Sequence, residues 1–176
     1  MNFVEKFKRW YTDKMLAIKA LDSAHGSMLF TGNLFAKVIR VDGSVEDKGL
    51  LSTKLVTTAF CEDMVDELIT DTPGEWTEYK YHGSGTSDTA AATGDTTLGS
   101  ETADTRATGT QVESGSVAYK TVGTVDYGST LDITEHGIFN SDAAGILMDR
   151  HVFSAIGVGD GDSIQWTYYI TVTAGG

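Results

Sequence analysis

The clearest pattern of apolar and polar positions lies near the C-terminus, where Ile164, Trp166, Tyr168, Ile170 and Val172 alternate strictly with Gln165, Thr167, Tyr169, Thr171 and Thr173. A period of two sends alternate side chains to opposite faces, so this segment predicts a strand with one core face and one wet face. Just upstream, the apolar runs 131–139 and 146–155 flank the turn-forming stretch Asn140-Ser141-Asp142-Ala143-Ala144-Gly145, which predicts a hairpin with a longer loop. Ile133 and Ile138 fall on opposite parity in the first of these runs, and a bulge at Gly137 would reconcile them. Residues 117–127 supply at least one more strand, and Gly159-Asp160-Gly161-Asp162 turns the chain into the last one.

The N-terminal half mixes two periods. In residues 2–22 Phe3, Val4, Phe7, Trp10, Tyr11, Met15, Ile18 and Leu21 recur three or four apart with lysines between them, which predicts an amphipathic helix ended by Ala24-His25-Gly26-Ser27. Residues 34–41 are β-branched and apolar and run into Asp42-Gly43, a pair suited to positive φ in a tight turn. A second strand is expected over 50–57. Thr58 is then placed to cap a short helix on which Phe60, Met64 and Leu68 line up, as do Cys61 and Val65, with Glu62 and Asp63 in its first turn. Thr72-Pro73-Gly74 would stop it, and 76–81 reads as extended, with Trp76 and Tyr79 in the core.

Residues 83–116 break the pattern. Gly, Ser, Thr, Ala and Asp dominate, and Leu98 and Val112 are the only large aliphatics, so the stretch is not expected to build a core. It reads either as a long exposed loop or as an arm that orders on a neighbouring subunit. With six or seven strands and two helices expected, the fold class is mainly β. An antiparallel sandwich or jelly-roll-like body (27–176) would carry an N-terminal docking helix (1–26) and one short internal helix.

Charge sharpens this picture. The 176-residue chain has a net charge of −12, which argues against a nucleic-acid or anionic-membrane partner, since such surfaces require a basic footprint. Residues 1–20 run the other way: Lys6, Lys8, Arg9, Lys14 and Lys19 against Glu5 and Asp13 make them net +3 and leave −15 on the remainder. The aromatic stripe of that segment, Phe3, Phe7, Trp10, Tyr11, Met15 and Ile18, is therefore the candidate interaction surface. It would serve either an acidic neighbour or the chain's own body. Cys61 is alone, which excludes an intrachain disulfide and reads as a buried inert thiol. No secretory signal or membrane span is visible, which predicts synthesis and retention in a cytoplasm until assembly.

No constellation predicts catalysis, a cofactor or a metal. The histidines His25, His82, His136 and His151 show no zinc-like pairing. His136 and His151 could meet across the hairpin, near Glu135 and Asp149, but alternation puts His136 on the face opposite Glu135, an awkward basis for a compact site. Asp160-Gly161-Asp162-Ser163 is a fragment of a calcium loop without its bidentate glutamate, and Gly83-Ser84-Gly85-Thr86 lacks the lysine of a phosphate loop. There is no Gly-x-Ser-x-Gly elbow.

Several stretches resemble a recurring type of tailed-bacteriophage virion protein. They are Tyr79-Lys80-Tyr81-His82-Gly83-Ser84-Gly85-Thr86, Thr89-Ala90-Ala91, Gly94-Asp95-Thr96 and Arg106-Ala107-Thr108-Gly109-Thr110-Gln111. They continue with Ile133-Thr134-Glu135-His136-Gly137-Ile138-Phe139, Leu147-Met148-Asp149-Arg150, Val152-Phe153 and Gly161-Asp162-Ser163-Ile164. The resemblance covers about residues 50–176 and is shared among head-decoration, head-fibre and tail-fibre proteins. It implies no catalytic residues and no cofactor. It implies a homo-oligomeric capsid decoration or cement protein bound to the major capsid protein or another virion protein, or alternatively a tail, neck or fibre component touching the host.

Overall fold

The computed structural model describes residues 29–69 and 76–173. Among these residues nine strands form two antiparallel sheets packed face to face, accompanied by one α-helix and a short 3-10 turn. The strands are β1 (Leu29–Ile39), β2 (Val45–Leu55), β3 (Tyr81–Gly85), β4 (Ala107–Thr108), β5 (Thr110–Glu113), β6 (Ala118–Asp126), β7 (Leu131–Phe139), β8 (Leu147–Val158) and β9 (Ser163–Thr173). One sheet runs β2-β1-β9-β6-β5 and the other β4-β3-β7-β8. The mainly β sandwich expected from the sequence is therefore present. The helix expected over residues 2–22, with its candidate residues Phe3, Phe7, Trp10, Tyr11, Met15 and Ile18, lies outside the described residues, as does the Thr72-Pro73-Gly74 stop.

The alternating C-terminal segment becomes β9, the middle strand of the five-stranded sheet, paired along its length with β1 and β6. Its core face holds Ile164, Trp166 and Tyr168, each without solvent exposure. These pack with Leu34 and Val38 from β1 and with Ile133, Ile138, Ile156 and Val158 from the facing sheet. Beyond Asp42-Gly43, with Gly43 at φ 84°, the chain returns as β2. β4 and β5 are one extended run that changes sheet at Gly109, joining the two layers along one side. On the other side the Thr57 amide donates to the Met148 carbonyl of β8 at 2.9 Å.

The internal helix, α1 (Thr58–Ile69), begins at its expected cap, so the cap itself lies one residue earlier. The first helical bond runs from the Cys61 amide to the Thr57 carbonyl, and Thr57 Oγ1 accepts from the Phe60 amide at 3.2 Å, so Thr57 is the cap. Glu62 and Asp63 consequently fall beyond the first turn. Asp63 is buried and accepts the Tyr79 hydroxyl at 2.8 Å. Phe60 faces inward as expected, with its ring edge-on to both Phe30 and Tyr79, whereas Leu68 points to solvent at 81% exposure. The expected extended segment at 76–81 is instead a 3-10 turn at Trp76–Glu78 feeding β3, and Tyr79 is buried as expected.

Two further expectations are corrected. Gly137 is not a bulge: it pairs in register with Arg150, and the irregularities fall between Ile133 and Glu135 and between Ile138 and Phe139. The glycine is there because a Cβ would meet the side chains of Leu147 at 2.8 Å and Leu98 at 3.0 Å. Nor is 83–116 without a core. Gly83 and Gly85 sit inside the four-stranded sheet, and the loop from 86 to 106 covers that sheet's outer face, with Leu98 buried against Phe139 and Leu147. The loop is therefore a third layer of its own domain.

Candidate functional site

Three arrangements gather the chemically versatile residues, and they differ in access. The first is a polar cluster sealed between the sheets. On β3, β7 and β8 the residues His82, Ser84, His136, Asp149 and His151 face inward, and the three histidines and Asp149 have no solvent exposure. Alternation puts them there: His136 pairs with His151 across the hairpin, as the sequence allowed, and Asp149 shares the face of His151. Glu135 does lie on the opposite face, as expected. Glycines on the facing sheet make room. A Cβ on Gly32 would stand 1.9 Å from Asp149 Oδ2, and one on Gly123 would stand 2.6 Å from His82 Cδ2.

Within the cluster, Thr121 Oγ1 lies 3.2 Å from His82 Nε2, and His82 Nδ1 lies 3.0 Å from His136 Nε2. His136 Nδ1 has no partner among the described residues. A buried lone pair is easier to leave bare than a buried N–H, so the network assigns the protons to His136 Nε2 and His82 Nε2. His136 then donates to His82, and His82 donates to Thr121. Separately, Tyr168 and His151 Nε2 each donate to Asp149 Oδ2 at 3.1 Å. Burial lowers the pKa of His82 to about 3, and it also lowers that of His136, helped by the neighbouring His82 and His151. Burial raises the Tyr168 hydroxyl, reinforced by Asp149. Burial thus keeps the His82 and His136 imidazoles neutral, and all three histidine side chains are without solvent exposure.

The second arrangement fastens the loop layer. The Glu135 carboxylate, itself fully buried, accepts the backbone amides of Ser87 (3.2 Å), Gly99 (2.9 Å) and Ser100 (2.7 Å) and Nε of Arg150 (2.7 Å). Arg150 continues to Asp95 at 2.9 Å and to the Thr89 carbonyl at 3.1 Å. A cavity of about 330 Å³ beside these groups is lined by Ser87, Asp95, Thr97 and Arg150 among others. The guanidinium inside it is already engaged by two carboxylates. Its role is to hold a threonine- and alanine-rich loop that has little apolar surface of its own.

The third arrangement is open. The outer face of the five-stranded sheet forms a groove of about 660 Å³ lined by Asn33, Phe35, Lys37, Lys120, Gln165, Thr167 and Tyr169 among others. The Phe35 and Tyr169 rings meet edge to face at 5.7 Å, and Lys120 Nζ stands 5.5 Å from the Tyr169 centroid. Lys37 pairs with Asp47 at 3.3 Å. Leu50, directly opposite Phe35, and Val112, opposite Lys120, extend the face toward both edges with 54% and 45% exposure. The face combines two aromatic rings, of the kind enriched at protein interfaces, with amides, hydroxyls and two lysines.

This face was legible only in part. The wet side of the last strand contained Gln165, Thr167 and Tyr169, and a tyrosine on a wet strand face was the available signal. Its neighbours from β1 and β6 required the strand order. Of the two acidic groups in the calcium-like turn, Asp160 is exposed and Asp162 accepts the amides of Gly159 and Val41 and the Arg40 guanidinium, each at 2.9 Å. These bonds, that of Gly159 foremost, hold its pKa down at about 2. Gly83-Ser84-Gly85 belongs to β3, an inner strand of the four-stranded sheet. Among the described residues no three metal-ligating side chains converge, and no helix is long and apolar enough to cross a membrane. No protein-family model, curated protein or solved structure matches the chain.

Proposed function

We propose that this protein is a structural component of a tailed-bacteriophage virion, seated on the capsid lattice as a decoration or cement protein that stabilises the head. It acts by contact and carries no chemistry of its own. The observation that carries the reading is the exposed aromatic and lysine-bearing outer face of the five-stranded sheet, on a body that buries His82, His136, His151, Asp149 and Glu135. The phage-like wording of residues 50–176 supplies the context. A contact face of this kind adds modest free energy per copy, multiplied over many equivalent lattice sites. The partner is the major capsid protein or another virion protein, and the protein assembles as a homo-oligomer.

Localisation in imaged particles tests the proposal directly. The decoration reading expects hundreds of copies on the head, and a count of a few to tens at the tail, neck or fibre would replace it with the tail alternative. Particles lacking the protein should lose resistance to heat and osmotic shock, and unchanged resistance refutes the cement role. Tyr169→Ala with Lys120→Glu should leave the fold intact and weaken particle binding at least tenfold, the scale of one lost aromatic anchor, about 2 kcal/mol.

A further inference from the structure

The helix α1 presents a second surface, and the chain itself carries the group that fits it. Cys61, Val65 and Leu68 stand three and four residues apart and form one stripe along the helix. Val65 is 50% and Leu68 81% exposed, and Leu68 is the most exposed large apolar side chain among the described residues. The rest of the helix surface is acidic: besides the buried Asp63, residues 58–69 contain Glu62, Asp66 and Glu67 and no lysine or arginine. A partner for this surface must be apolar along one side and basic along its flanks.

Residues 2–22 have that chemistry, with an aromatic and aliphatic stripe at helical spacing and a net charge of +3 over residues 1–20. They are also tethered at the right place. The chain enters the described body at Leu29, the next residue Phe30 lies against Phe60 of α1 at 5.9 Å, and Thr31 pairs with Leu55, just before the helix begins. Six residues, 23–28, join the segment to that point. Six extended residues reach about 20 Å, and α1 is about 18 Å long, so the tether can lay the segment along it. From these three observations, position, charge and exposed apolar strip, we infer that the Cys61–Val65–Leu68 face of α1 is the docking surface for residues 2–22 of the same chain. A short tether makes this an intramolecular event at high effective concentration, which favours the chain's own segment over that of a second copy. The inference does not depend on the virion reading. It assigns the basic aromatic stripe to the protein's own body and leaves the outer sheet face for a partner.

A nitroxide placed at the start of α1 (Thr58→Cys in a Cys61→Ser background) tests it by paramagnetic broadening in the full-length protein. Amide signals of residues 2–22 should be broadened, and the effect should persist when the labelled protein is diluted into an excess of unlabelled chain. Absence of broadening in residues 2–22 overturns the proposal. So does broadening of isotope-labelled, nitroxide-free chain by a nitroxide-labelled second copy, which would make the occupant a neighbouring molecule. As an independent measure, Val65→Asp with Leu68→Asp should raise the rate of tryptic cleavage at Lys6, Lys8, Arg9, Lys14 and Lys19 by about tenfold or more, with the near-UV circular dichroism of the sandwich unchanged. Equal cleavage rates in the variant and the parent overturn it as well.

Discussion

Acidification offers a sharp test of the sealed polar cluster. His82 titrates near 6.5 when unfolded and at about 3 when folded, because burial penalises its cation. Between those values the unfolded chain binds a proton that the folded one refuses, so stability falls as the pH drops below 6.5 and the loss is complete near pH 3. From pH 7 to pH 4.5 the linkage amounts to about 2.5 kcal/mol for this one side chain, a large share of the roughly 5–15 kcal/mol that holds a domain together. His136 adds to the loss in the same direction. The pH floor separates this effect from the carboxylates: Glu46 and Glu78 depart from 4.5 and Asp162 from 3.8, all downward, so their losses belong to more acidic solution. Urea unfolding at a series of pH values, read by near-UV circular dichroism, gives the slope. His82→Gln should be less stable than the parent at pH 7 yet should lose about 2.5 kcal/mol less on going to pH 4.5. Equal pH slopes for the parent and His82→Gln would refute the claim that His82 is held neutral by the interior.

Other changes probe the elements that position the cluster and the loop. Gly32→Ala drives a methyl into Asp149 Oδ2, which Tyr168 and His151 hold in place, and should cost about 1–3 kcal/mol in a denaturation series, where a neutral result would contradict the close approach. Glu135→Ala strips three loop amides and leaves the buried Arg150 with Asp95 as its remaining carboxylate, so a loss of about 3–5 kcal/mol is expected. Hydrogen exchange should then accelerate in residues 86–106 before the rest of the domain. Thr57→Val removes both the cap of α1 and the hydroxyl donated to the Leu147 carbonyl at 2.5 Å. It should lower stability by about 1–2 kcal/mol by thermal melting.

The strands were readable wherever one face is wet and the other dry. Alternation in 164–173 put Trp166 and Tyr168 in the core, and the Leu131–Phe139 strand was bounded to the residue. What escaped reading is where glycine and charge replace apolar bulk. Gly83, Gly85 and Gly137 look like breakers in one dimension, yet they stack on neighbouring strands to form a flat patch on which the 86–106 loop can lie. Glu135 and Arg150, fifteen residues of hairpin apart in a sequence full of acids, had no local signature as an anchor. Their value comes from register, since Glu135 faces Val152 and Gly137 faces Arg150 on the outer side of one sheet. The cap of α1 was misplaced by one residue because Thr57 and Thr58 are equivalent in sequence, and only the Thr57 hydroxyl also meets the Leu147 carbonyl.

That same register logic explains why a β-sandwich retains three histidines and an aspartate in its interior. A slip of one residue between β7 and β8 would carry His136 to the outer face, under the loop, and bring Glu135 inward against Trp166, whose ring now packs on His136 at 4.7 Å. An interior of valine and isoleucine would tolerate such a slip at the cost of imperfect packing. Here the misregistered state also strands an unpaired carboxylate between the sheets and separates Arg150 from its acceptor, a penalty of several kcal/mol. The small glycines opposite the cluster tighten the constraint, because Gly32 and Gly123 fit Asp149 and His82 at one alignment of the two sheets. The polar core thus specifies how the sheets face one another. It also holds the outer sheet face to a single arrangement of Phe35, Tyr169 and Lys120, as the docking proposed for that face would require.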